Sequence, residues 1–136
     1  MNSETPAELL QQLLDACNEG TQGAIHLAEQ TEIEDLRALL QESAQQYRRA
    51  ADELRSVCKS NGTVAAVGHR RAAWSEIAAD GDALAFWERA ECQALTYFRD
   101  AYDTPLPPHV SATVKRHFEA GIDRLERLRK LQTRTG

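Results

Sequence analysis

Seven residues, Leu36, Leu40, Ser43, Tyr47, Ala50, Leu54 and Val57, recur at alternating spacings of four and three. That pattern holds one face of an α-helix toward a partner over many turns. A strand cannot use it, because strand side chains change face at every residue. A seam this long must be buried by other helices, so the chain is constrained toward helix-on-helix packing.

The flanking sequence agrees. Thr5-Pro6-Ala7-Glu8 is a capping box with proline at the first helical position. Leu9, Leu10, Leu13, Leu14, Cys17, Ala24 and Ala28 follow at helical spacings, interrupted by Gly20 and Gly23. Each glycine costs about 1 kcal/mol relative to alanine in a helix, so the pair points to a close helix approach or a kink. A second capping box is expected at Thr31-Glu32-Ile33-Glu34, and Asn61-Gly62 ends the helix that carries the seam. The short connection near residue 30 predicts an antiparallel hairpin.

Ala72, Ala73, Trp74, Ile77 and Ala78 predict a short helix closed by Asp80-Gly81-Asp82, with Asp82 placed to cap the next one. That helix carries Leu84, Trp87, Glu91, Ala94, Leu95, Phe98, Ala101 and Tyr102, and stops before Pro105-Leu106-Pro107-Pro108. The last carries Val110, Val114, Phe118, Gly121, Leu125, Leu128 and Leu131 before a polar tail. The expectation is one domain over 1–136, with long helices at about 6–30, 32–60, 82–103 and 108–131 and a short connector helix within 63–80. A linker of about 20 residues is far longer than an up-down-up-down bundle needs. It predicts parallel second and third helices, the single crossover of ferritin-like four-helix bundles.

Composition narrows the function classes. The 136 residues are 42% apolar and 27% charged, neither a disordered nor a membrane composition. No apolar run approaches the roughly 20 residues of a membrane span. The start, Met1-Asn2-Ser3-Glu4-Thr5-Pro6, has no signal-peptide pattern, so a cytoplasmic location is expected. Residues 1–36 hold eight acidic side chains and no Lys or Arg, whereas residues 115–136 hold seven basic against three acidic. The plain reading is that these segments lie side by side and attract weakly; the sharper one is docking between copies. Nucleic acid is disfavoured by the net charge of −5 and by a basic segment without interleaved aromatics. Cys17, Cys58 and Cys92 are too scattered for zinc or a disulfide frame and read as reduced, buried thiols.

Several short patterns in this order resemble a bacterial family of ferritin-like four-helix-bundle domains, known mainly as a domain of unknown function. They are Leu14-Asp15 through Gly20 and Gly23, Leu54 and Gly62, and His69-Arg70-Arg71-Ala72-Ala73-Trp74. Glu88-Arg89-Ala90-Glu91 with Ala101-Tyr102, and Leu106-Pro107-Pro108-His109-Val110, complete the set. The resemblance covers roughly residues 9–131. Two positions depart from it: Ala90 stands in place of glycine and Leu125 in place of histidine. The second weakens any metal role for the last helix. The resemblance implies the bundle fold and brings no established activity.

The obvious chemistry of such a bundle is a carboxylate-bridged di-iron or di-manganese centre. It needs a Glu from each of two helices and a Glu-x-x-His from each of the other two. The residues three before His26, His69, His109 and His117 are Gly23, Ala66, Leu106 and Val114, so no Glu-x-x-His exists. The remaining metal candidates are Glu88 and Glu91, one turn apart, joined by Glu42 and His117. Against that stands pairing of the carboxylates with arginines, Arg48, Arg49 or Arg116, or half-exposure at the edge of the stripe, with His117 beside Phe118 a satisfied boundary histidine. Arg70 and Arg71 beside Trp74 are a candidate anion site, since guanidinium recognises phosphate and carboxylate in bidentate fashion. The alternative is a connector packed by Trp74, its arginines tied to the acidic first helix. No phosphate loop or nucleophile elbow is present.

The favoured expectation is a non-enzymatic bundle without a standard di-iron centre, an interaction or, by fold analogy, stress-related protein. It partners with itself as a dimer or with another protein. The alternatives are a degenerate Fe- or Mn-dependent oxidoreductase and a small-anion-binding bundle.

Overall fold

A computed structural model of the chain describes residues 5–60 and 83–135, with side chains for residues 5–57 and 83–133. These residues form four α-helices and no strand: α1 (Pro6–Gln30), α2 (Glu34–Ser60), α3 (Ala83–Tyr102) and α4 (Pro108–Thr135). The connector helix expected within 63–80, with Arg70, Arg71 and Trp74, lies outside the described residues.

The capping box at the start of α1 is formed: the Thr5 hydroxyl accepts from the Glu8 N–H at 3.2 Å, and the Glu8 carboxylate accepts from the Thr5 N–H at 3.3 Å. The box expected at Thr31–Glu34 is not. The Thr31 N–H still belongs to α1, bonding the Leu27 carbonyl at 2.9 Å, and its hydroxyl accepts from the Ile33 N–H at 3.2 Å. Glu34 pairs with Arg37 instead. The Arg37 guanidinium also bonds the Ala28 carbonyl, at 3.2 Å, and the Thr31 carbonyl. One arginine from α2 thereby satisfies carbonyls that the end of α1 leaves open. At the other end of the chain, α4 continues through the polar residues after Leu131, because no glycine or proline stops it before Gly136.

Residue pairs fix the helix directions. Gly20 lies on Tyr47, and Ala28 on Arg37, so α1 and α2 are antiparallel. Glu42 pairs with Arg127 and Glu53 with Arg116, so α2 and α4 are antiparallel. Glu88 pairs with Arg129 and Leu95 meets Gly121, so α3 and α4 are antiparallel too. It follows that α2 and α3 run the same way, and the end of one and the start of the other lie at opposite ends of the bundle. The principal neighbours are α1 with α2 and α3, and α4 with α2 and α3. The pairs α1/α4 and α2/α3 therefore face each other across the diagonals.

That arrangement narrows the plain reading of the charge asymmetry to the start of α2, where Asp35 lines a surface cleft with Arg127 and Lys130. The acidic first helix and the basic last helix are diagonal, and Arg116, Arg124, Arg127 and Arg129 of α4 pair with carboxylates of α2 and α3. The core itself follows the seams. Leu36, Leu40, Ser43, Tyr47, Ala50 and Leu54 are buried, as are Leu10, Leu13, Leu14, Cys17, Ala24 and Leu27 of α1. Gly20 is a close-approach glycine: a Cβ there would lie 2.7 Å from the Tyr47 ring. Among the described residues no helix is long and apolar enough to cross a membrane.

Candidate functional site

Midway along the bundle the apolar core is interrupted by a polar layer. Glu91 of α3 is 1% exposed and Arg124 of α4 is 3% exposed. The Arg124 Nε donates to Glu91 Oε2 at 3.3 Å. On the α2 side, the Tyr47 hydroxyl donates to Glu91 Oε1, and the Ser43 hydroxyl donates to Oε2 at 3.4 Å. The Arg124 guanidinium also lies 4.8 Å from the centre of the Tyr47 ring, in cation–π contact. Trp87 meets that ring edge-on, with centroids 6.4 Å apart. Cys17 and Gly20 of α1 close the layer.

From this centre a relay of polar contacts reaches the surface. Arg124 donates to the Gln46 side-chain carbonyl, and Gln46 donates to Glu42 at 3.4 Å. Glu42 is held by Arg127 as a two-point pair, and Arg127 also bonds Asp123 at 3.1 Å. Such two-point pairs fix orientation as well as charge. A few residues away, Glu53 of α2 accepts from Arg116 at 2.7 Å and from His117 Nε2 at 3.0 Å.

The electrostatics follow from burial and these partners. Burial, then the charge of Glu91, pushes the Tyr47 phenol well above its ordinary 10, so it stays a donor. Burial pushes the Cys17 thiol up to about 12, which keeps it from being a nucleophile. Burial alone would lower the Arg124 pKa, but the Glu91 carboxylate turns the shift upward. Burial lowers His117 below 6.5 against the pull of Glu53. The carboxylate cannot donate, so the neutral ring carries its proton on Nε2. The hydrogen bond from Arg127 lowers Glu42, and that from Arg129 lowers Glu88.

The four metal candidates are not brought together. Glu91 is interior and bound by Arg124, Tyr47 and Ser43. Glu88 faces outward to Arg129, at 2.8 Å. Glu42 sits at the α2–α4 edge with Arg127, and His117 at the same edge with Glu53. Among the described residues no three His, Cys, Asp or Glu side chains converge to hold a metal ion. A di-metal centre does not fit this donor set: Glu91, the one interior carboxylate among the described residues, already has a cation against it.

The carboxylates Glu91, Glu42 and Glu88 pair with arginines, but not with Arg48, Arg49 or Arg116. Arg124 and Arg129 take Glu91 and Glu88; Arg116 goes to Glu53, and Arg48 and Arg49 have no ion-pair partner among the described residues. Of the thiols, Cys17 is buried, whereas Cys92 is half-buried with Arg129 3.7 Å from its sulfur. The side chain of Cys58 lies outside the described residues. No protein-family model matches the chain, and comparison with curated proteins finds no significant match.

Proposed function

We infer that the chain is a ferritin-like bundle that works as a non-catalytic interaction protein. The parallel α2 and α3, held on a diagonal, support the ferritin-like part, since a single crossover produces that arrangement. The observation that carries the non-catalytic part is Arg124. Its guanidinium stands against Glu91, the one buried carboxylate of the described helices, and supplies there the positive charge a bound metal would supply. A buried charge needs such a partner. With Tyr47 and Ser43 also on the carboxylate, the layer is satisfied from within and leaves no ligand set open to a metal.

The test is metal content by mass spectrometry. Untagged protein, purified without chelator, is incubated with Fe(II) or Mn(II) and desalted. The expected result is substoichiometric metal and an unchanged melting temperature. Stoichiometric metal that survives desalting would overturn the reading in favour of a metal-dependent oxidoreductase.

A further inference from the structure

The outer face of the α1–α2 hairpin carries a groove of about 830 Å³. Its apolar parts are Ile25, Ala28 and Ala44, and Ile25 is 40% exposed, large for a branched apolar side chain on a helix. Six charged residues line the groove. Three are used within the chain: Arg37 at the α1–α2 junction, Asp52 with Arg55, and Glu53 with Arg116 and His117. The other three, Glu29, Arg48 and Arg49, are exposed and have no ion-pair partner among the described residues.

Their placement is ordered. Gly20 lies opposite Tyr47 and Ala28 opposite Arg37, so Glu29 sits level with the first turn of α2. Arg48 is then about 16 Å further along the groove, at 1.5 Å of rise per residue. Ile25 and Ala44 fall close to the midpoint. Among the described residues the groove thus carries an unpaired negative charge at one end and unpaired positive charge at the other, and between them the exposed Ile25 beside the uncharged, exposed Gln41 and Gln45.

We propose that this face is the docking surface for a second copy of the chain, related by a two-fold axis near Ile25 and Ala44. The axis sets Ile25 against its symmetry mate and Glu29 of each copy against Arg48 and Arg49 of the other. A two-fold interface must be self-complementary, and this charge order meets that condition. An exposed apolar anchor in an uncharged centre, with charges at the rim, also follows the usual anatomy of a protein interface. The inference deepens the interaction reading above by naming the partner.

The test is sedimentation equilibrium of the full chain over a range of concentration and salt. A dimer that weakens as salt rises is expected, because rim charges are screened. Glu29→Arg alone, and R48E with R49E, each place like charges together and should weaken self-association by roughly a hundredfold or more. All three positions are exposed on helices, and far-UV circular dichroism checks that the variants fold. The decisive step is to mix the two variants: opposite charges then meet at both ends, and a heterodimer of wild-type strength should form. Ile25→Lys should abolish dimers without any charge reversal. A wild-type chain monomeric at every soluble concentration would sink the proposal. So would a dimer indifferent to these substitutions, or variants that fail to recombine. Any of those results leaves the metal test unaffected, so the two readings fail separately.

Discussion

Arg124 and Glu91 are worth more as a pair than either is alone. Removing one partner strands a buried charge, so Arg124→Ala is expected to cost about 3–5 kcal/mol, measured by urea unfolding. Replacing the group by apolar side chains of similar size avoids that penalty. The triple variant Glu91→Leu, Arg124→Met, Tyr47→Phe should recover most of the loss; a triple variant as unstable as the single one would refute the account. The members of this layer are legible in the sequence, but their pairing is not. Ser43, Tyr47 and Glu91 stand on seams that are otherwise apolar, and a polar residue at such a position needs a partner. Arg124 is legible too once α4 is read at spacings of four and three, through Val110, Val114, His117, Gly121, Arg124, Leu128 and Leu131. Reading Leu125 and Phe118 as the stripe instead hides it. Which arginine meets which carboxylate depends on the axial offset between helices, and no local pattern encodes that.

Helix existence is set by periodicity and caps, and those are local properties. The departures fall at the ends. Thr31 serves the end of α1 rather than a box on α2, and α4 runs past its last apolar residue. Within the helices, the role of a glycine depends on what lies opposite. Gly20 faces the carbons of the Tyr47 ring, which Glu91 and Trp87 hold in place, whereas Gly121 faces the movable tip of Leu95. Alanine gains about 1 kcal/mol of helix propensity at either site. At Gly20 the clash should outweigh that gain, for a net loss of about 1–3 kcal/mol, while Gly121→Ala should cost less. Thermal unfolding of the two variants checks the order; equal melting temperatures would contradict it.

The whole molecule should lose stability on acidification in two stages. The folded state holds the His117 ring below its ordinary 6.5, so the unfolded chain binds that proton first. Stability is complete above 6.5 and declines as pH falls from there toward the folded value. Glu42 and Glu88 are held below their ordinary 4.5, so their contribution is present above that value and lost only at lower pH. Urea midpoints against pH should show both stages, and His117→Gln should remove the upper one alone. A first stage that persists in that variant would place its origin elsewhere.

The diagonal arrangement of the helices has a consequence for assembly of the fold. Each hairpin, α1–α2 and α3–α4, is made of contacts close in sequence and can gather early. Glu91 finds Arg124 inside its own hairpin, but Tyr47 and Ser43 belong to the other, 44 and 48 residues away. When the hairpins dock one turn out of step, those two donors miss the carboxylate, and a half-solvated charge is sealed into the core. The polar layer therefore acts as a key cut for a single alignment, lending little to the depth of the native basin and a great deal to the height of the walls around its neighbours.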